Sequence, residues 1–347
     1  MRAVAIPSGL VEQLRAYGLN PTDLVFYINS GCNLRCRHCY VGSELLDAAV
    51  YYPVHAIKNL LHDLPALERV TVLGGEPFFH PQLSEVAAVF GRHPCRERRL
   101  TTNLMVVDTQ KLEALREAGF RLCVSLDGHT AALHDLLRGK GAFSKTTANL
   151  ANVIRRGFDV EITHTITSEN LGAFWDFVGL CEALGVRRLN LHRVSLRGNA
   201  LVNRELHVAA TDWRNLTAAI EARANSAHGK MSVRYEAGFA TQAEFNALVA
   251  TGAYHHHPQA SFYSPEGGGR IVIFPNQRVY VSSEAFGTDS HIGDFSSGSF
   301  VFNESPQNEL VASRGDGYST TMINSEIAGD LNYPIPLSVS FRKSAWL

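Results

Sequence analysis

Cys32, Cys36 and Cys39 lie in the stretch GCNLRCRHC, residues 31–39, and account for three of the six cysteines in the chain. Thiolates that close together are metal ligands or redox groups before they are core residues. A structural zinc ion closes a tetrahedron, so the spacing C-x3-C-x2-C serves zinc only if a distant fourth donor completes it. His38 is next to Cys39 and is badly placed to reach the same ion. A cubane iron–sulfur cluster spreads its thiolates over separate irons, so three cysteines suffice and one iron is left without a protein ligand. An open iron can bind a cofactor or substrate directly, as the open position of a catalytic zinc does. Zinc with a remote donor, or three unrelated core cysteines, stay open as readings of the spacing alone.

Other residues with chemistry to offer follow short apolar runs. GGEP (74–77) sets a carboxylate, Glu76, behind two glycines that let backbone approach a ligand; its plain reading is a turn with Pro77 opening a helix. TN (102–103) and SLDG (125–128) add Asn103, Ser125 and Asp127, and Arg138 follows in LLRG. Asp-Gly is also an ordinary turn, and a single arginine is ordinarily a surface residue. His164 and His192 fall within apolar runs, where a hydrogen-bonded core histidine is the common case. The HHH at 255–257 reads first as a solvated loop, and Cys95, Cys123 and Cys181 read as small buried residues. Cys123 stands two residues before Ser125 and shares its face of a strand, as a remote candidate for a hydrogen donor.

The elements that must carry these residues are visible as alternation. LVFYIN (24–29), VTVLG (70–74), RRLTTN (98–103), RLCVSLD (121–127), DVEITHTI (159–166) and RRLNLHRV (187–194) read as strands. Amphipathic stretches lie between them, among them VHAIKNLLHDL, LSEVAAVFGR, TQKLEALREAG and WRNLTAAIEARANS. Six such units make an α/β fold, an open partial (β/α)6 barrel, whose chemistry sits at the C-terminal ends of its strands. The cysteine stretch, GGEP, TN and SLDG each follow a strand, so they converge on one face. GGGRIVIFPNQRVYVSS (267–283) reads as a β-hairpin with a PNQ turn. The expected organisation is an N-terminal segment (1–23), the partial barrel (24–226) and a hairpin-containing extension (227–347).

Composition narrows the partners. Apolar residues make up 45% of the 347 and charged residues 19%, with a formal net charge of -1, so nothing favours a polyanion and nucleic acid is not expected as a ligand. No stretch supplies the ~20 apolar residues of a membrane span. Clustered thiols suit a reducing compartment, and the chain reads as cytoplasmic.

Taken together, CNLRCRHC, GGEP, TTN, SLDGHTAALHDLLRGKGAF and TITSENLGAFWDFVGLCEALGV resemble the radical S-adenosylmethionine (radical SAM) enzymes over about residues 24–200, most closely the branch with a SPASM or twitch extension. The resemblance implies one 4Fe-4S cluster on Cys32, Cys36 and Cys39, and S-adenosylmethionine (SAM) chelated on the open iron. His38 stands where the family usually has an aromatic residue, and with Tyr40 it offers a flat face to the cofactor. Gly74 and Gly75 would admit it closely and Glu76 would pair with its ammonium. Asn103 closes the third strand; Ser125 and Arg138 would meet the carboxylate. Leu104 replaces the glycine of the family's T-N-G, which predicts a differently shaped loop.

The resemblance also implies the activity: reductive cleavage of SAM to a 5′-deoxyadenosyl radical that abstracts hydrogen from a substrate, with an external electron donor such as flavodoxin or ferredoxin. Ser282 and Ser283 stand where the extension would place a cysteine, and none follows Cys181. Auxiliary clusters are therefore expected to be absent. That favours redox-neutral outcomes such as decarboxylation, epimerisation, elimination or rearrangement, on a small sugar, nucleoside or amino-acid derivative. Maturation of a ribosomally made peptide is the alternative, and a non-catalytic iron–sulfur protein is the reading from another class.

Overall fold

In the computed structural model of the chain, the alternating pattern becomes a parallel sheet covered by helices. The structure describes residues 10–16, 20–42, 46, 50–226, 231–236, 238–252, 255–256, 263–264, 269–280, 291–296, 299–302, 335–336 and 342–347. Seven strands are ordered in space as in sequence: β1 (Asp23–Tyr27), β2 (Leu67–Leu73), β3 (Cys95–Thr102), β4 (Phe120–Ser125), β5 (Val160–Ile166), β6 (Arg188–Arg193) and β7 (Ser232–Glu236). Each runs parallel to the next, which requires the helical crossovers seen between most of them. The first six coincide with the expected strands. The seventh does not appear in that set: SVRYE alternates polar and apolar residues, but over five positions only.

The sheet is not closed. Among the described residues its twelve strands have a linear order, ending at Ser299–Phe302 on one side and Arg342–Trp346 on the other. The hairpin forms as expected. Arg270–Ile273 lies parallel to β1 and Arg278–Tyr280 returns antiparallel, with Gln277 in the left-handed conformation of the turn (φ 69°). Asp23 pins this junction: it pairs in register with Arg69 and Arg270, at 2.5 and 2.7 Å, and the two guanidinium groups hold its carboxyl down at about 2 against the cost of burial. Ser282 and Ser283, and the side chains of the HHH stretch, lie outside the described residues.

Period-two alternation gives the strands two faces. Phe26, Val72, Leu100, Leu122, Ile162 and Leu191 turn to the helices and are fully buried, each such side chain contributing about 1.5–3 kcal/mol. Helix Val54–Asp63 shows the complement, burying Val54, Ile57, Leu60 and Leu61 on one stripe. On the concave face Val25, Tyr27, Val272, Phe274 and Tyr280 form a second cluster, with Cys32, Cys39 and Tyr40 packed against it. The hairpin thus supplies part of the wall on which the cysteine loop rests.

Candidate functional site

The chain leaves β1 and turns at once into the cysteine loop, which is tied down from several directions. Asn199 donates from its backbone N–H to the Cys39 carbonyl (2.8 Å) and from Nδ2 to the Cys36 carbonyl (2.9 Å). Asn203 accepts from Arg37 Nε (3.1 Å), and the Arg37 N–H donates to the Leu137 carbonyl (2.9 Å). The Gly31 carbonyl accepts from the Glu76 N–H (2.8 Å) and from Asn29 Nδ2 (3.0 Å). Asn199 and Asn203 were not among the sequence candidates. They lie after β6, and no local motif marks them.

Gly74 and Gly75 are demanded by space. A Cβ on Gly74 would sit 2.3 Å from Asn29 Oδ1, and one on Gly75 would sit 2.2 Å from the Ser30 carbonyl oxygen and 2.4 Å from that of Gly31. Gly31 has room for a methyl group, so the steric demand falls on the second strand's end and not on the turn itself. Glu76 is 1% exposed and accepts from the Thr102 hydroxyl (2.7 Å), the Asn103 N–H (2.8 Å) and the Phe78 N–H (3.2 Å). Burial outweighs these bonds and pushes its carboxyl up to about 7. Asn103 reaches from β3 to the loop, its Nδ2 donating to Asn33 Oδ1 (2.8 Å). Leu104 adopts φ 55°, a left-handed backbone conformation that glycine takes without strain and leucine does not.

Ser125 ends β4 on the same rim, and Asp127 follows it, fully buried. Thr130 caps helix Ala131–Arg138, and Arg138 in its last turn reaches back so that Nε lies 2.5 Å from Asp127 Oδ2. Its Nη1 lies 3.9 Å from Cys36 Sγ. His38 Nε2 is 3.2 Å from the same carboxylate oxygen, and the Thr165 N–H donates to Oδ1 (2.7 Å). Arg138 and His38 hold the Asp127 carboxyl well below the usual carboxylate range against the opposing effect of burial. Tyr40 meets Tyr27 hydroxyl to hydroxyl, and Tyr27 stacks on Phe274 at 4.2 Å. The structure therefore gathers every candidate from Cys32 to Arg138 at the C-terminal ends of β1–β4.

Two further histidines part company. His164 faces the helices, fully buried, stacked on Phe177 at 3.9 Å with Nδ1 donating to the Leu126 carbonyl (2.8 Å). His192 faces the concave side and pairs with Glu236 (2.8 Å). Cys123 lies fully buried beside Glu161.

A 4Fe-4S cluster and SAM fit these residues. Burial raises the Cys32 thiol to about 11 and the Cys36 thiol to about 12, so in the bare protein they hold protons that a metal would displace. Among the described residues no three His, Cys, Asp or Glu side chains converge on a point where one metal ion would sit. A cubane asks instead for thiolates at separate corners. Two buried polar atoms beside the loop, Asn29 Oδ1 and His38 Nδ1, have no hydrogen-bond partner among the described residues.

The Radical SAM superfamily model matches residues 26–181. The chain is 30% identical over 169 residues to the AdoMet-dependent heme synthase of Methanosarcina barkeri (strain Fusaro / DSM 804), covering 48% of each protein. It is also 30% identical over 220 residues to the mycofactocin maturase MftC of Mycobacterium ulcerans (strain Agy99), covering 60% of this chain and 58% of that one. The chain spans about half the length of the curated relatives it matches. Among solved structures, SuiB of Streptococcus suis bound to S-adenosylmethionine aligns with a TM-score of 0.63 at 14% identity, over 87% of this chain and 69% of that one. Native anSMEcpe with bound AdoMet aligns with a TM-score of 0.61 at 16% identity, over 85% and 84%. At these identities the two structures establish a shared fold.

Proposed function

We propose, from the match of residues 26–181 to the Radical SAM superfamily model, that the chain reductively cleaves SAM and uses the resulting radical to abstract hydrogen from a substrate of specialised metabolism. The observation that carries this reading is the convergence of Cys32, Cys36 and Cys39 with Glu76 and Arg138 on one rim of the sheet. When bound, the cluster and SAM supply a 5′-deoxyadenosyl radical.

The chain's own residues hold and orient. The three cysteines bind the cluster, and Asn199 fixes the carbonyls of two of them. Glu76 would offer its carboxyl group to the methionine ammonium and Ser125 and Arg138 would meet its carboxylate, while Gly74 and Gly75 let the end of β2 lie against Asn29, Ser30 and Gly31 at the start of the cysteine loop. Tyr40 and His38 line the loop. An electron carrier of the flavodoxin or ferredoxin class would reduce the cluster in the cytoplasm. Among the described residues no helix is long and apolar enough to cross a membrane.

The substrate we favour is a small, polar sugar, nucleoside or amino-acid derivative, converted without net oxidation. The concave faces of β5–β7 support this, being lined by Thr163, Thr165, Asn190, His192, Arg234 and Glu236 and not by an apolar groove. The likeness to a mycofactocin maturase favours a second reading, a ribosomally made peptide. Anaerobic reduction of the reconstituted protein with SAM should yield 5′-deoxyadenosine, and the triple Cys32/Cys36/Cys39→Ala variant should yield none. Equal yields from the two proteins would refute the assignment. Modification of a short precursor peptide encoded beside the gene would decide for the second substrate class.

A further inference from the structure

Arg234 stands on β7 between Val233 and Tyr235, which turn to the helices, so its side chain lies on the concave face, in register with Asn190 of β6. The charges around it are already matched. Glu161 takes the Arg99 guanidinium and Glu97 that of Arg121. Asp159 binds Arg121 through one oxygen (2.9 Å) and Arg188 through the other. Arg234 joins this group as a fourth guanidinium for three carboxylates. Among the described residues the one carboxylate within 4 Å of it is Glu161, whose Oε1 lies 3.8 Å from Nη2, beyond hydrogen-bond reach. Glu236, next on the same face, is engaged by His192 at 2.8 Å.

The hydrogen bond that Arg234 does make runs from Nε to the Asn190 Oδ1, at 3.3 Å. With Nε committed there, the two Nη groups remain, and their N–H bonds form a fork that matches the two oxygens of a carboxylate. The side chain is 25% exposed, enough to be reached from the concavity and too little to be fully hydrated. Burial and then the neighbouring charge of Arg99 lower its pKa from the usual arginine value, so the fold holds this cation against a penalty that a bound anion would offset.

We propose that Arg234 anchors a carboxylate of the substrate, gripped by its two Nη groups from the concave face. The inference rests on the substrate site read above and narrows it: among sugar, nucleoside and amino-acid derivatives, those with a free carboxylate are selected. One unmatched guanidinium balances the single charge of a carboxylate, whereas a phosphate brings up to two.

The test uses the cluster-reconstituted full chain and probes paired by charge: D-glucuronate against D-glucose, succinate against 1,4-butanediol, and inorganic phosphate. Ligand-observed NMR should show saturable binding of at least one acid, and binding of its neutral counterpart at least about tenfold weaker. Arg234→Gln should weaken the acid about tenfold, and Arg234→Lys, which keeps the charge without the fork, should fall between. Arg96→Gln, at an arginine whose side chain is 84% exposed, should bind as wild type does. In the wild-type protein the acid should also shield Arg234 from phenylglyoxal, read residue by residue by mass spectrometry, a measurement that needs no variant to fold. Binding of neither acid, equal binding of acid and neutral counterpart, unchanged affinity in Arg234→Gln or an unshielded Arg234 each overturns the proposal. Tighter binding of phosphate that Arg234→Gln abolishes overturns the carboxylate assignment. The radical reading fails separately: a chain that binds the acid through Arg234 but forms no 5′-deoxyadenosine on anaerobic reduction with SAM keeps the anion site and loses that chemistry.

Discussion

The Glu76 carboxylate accepts a 2.7 Å hydrogen bond from the Thr102 hydroxyl, at the place where β2 and β3 end side by side. Two backbone N–H groups add to it, yet burial keeps the carboxyl protonated up to about 7 instead of 4.5. The folded protein therefore binds this proton more tightly than the unfolded chain. Stability is favoured below the unfolded value and falls as the pH rises through the folded one. Over that window Glu76 should cost the cluster-free protein on the order of 3 kcal/mol. Urea unfolding of wild type and Glu76→Gln at pH 5 and pH 8 checks this: the variant should gain on the wild type at the higher pH. Parallel behaviour of the two would show that Glu76 is not the source.

Arg138 places a cation 3.9 Å from the sulfur of Cys36. A reduced cluster carries one more negative charge than an oxidised one, so this guanidinium favours reduction. Replacing it by glutamine should move the cluster midpoint to more negative potential by roughly 40 mV, the equivalent of about 1 kcal/mol for one electron. The measurement is an EPR-monitored redox titration without SAM, which separates this effect from any contact with the cofactor. An unchanged midpoint at full iron content would count against the arrangement.

Two glycines that look alike in sequence should behave differently. Gly75→Ala drives a methyl group to 2.2 Å from the Ser30 carbonyl, where only backbone can yield, and the backbone that yields begins the cysteine loop. It should destabilise the protein by at least about 2 kcal/mol and lower iron loading. Gly31→Ala meets nothing within 4 Å and should load normally. Iron assays and thermal melts on the two variants test the contrast directly.

Cysteine supply limits the number of clusters. Three thiols are spaced for one, and no cysteine follows Cys181. Reconstituted protein should contain about four iron per chain. About eight would require ligands of another kind in the extension, and would reopen the oxidative reactions that a single cluster disfavours.

Much of this was legible in the sequence, for a physical reason. Strands β1–β6 announce themselves by apolar runs, and in a parallel sheet the residues that follow each run must emerge at the same end, so the convergence of Cys32, Glu76, Asn103 and Ser125 needed no structure to foresee. What stayed hidden depends on partners distant in sequence. β7 is defined by pairing with β6 and with Arg342–Trp346, and neither is visible in SVRYE. Asn199 holds carbonyls 160 or more residues before it, and a carbonyl carries no sequence signal at all. Asp127 read as half of an ordinary Asp-Gly turn; only its burial between Arg138 and His38 distinguishes it.

The bond from Asn199 to Cys36 spans 163 positions. During synthesis the ligands leave the ribosome first and wait while five further strands are made before their brace arrives. At the usual rate of about 5–20 residues per second that interval lasts roughly 8–30 s. Until it ends, the thiols sit on a loose peptide open to oxidation or to stray metal. A nascent chain halted before the turn that follows the sixth strand should therefore accept iron poorly, however complete its ligand set.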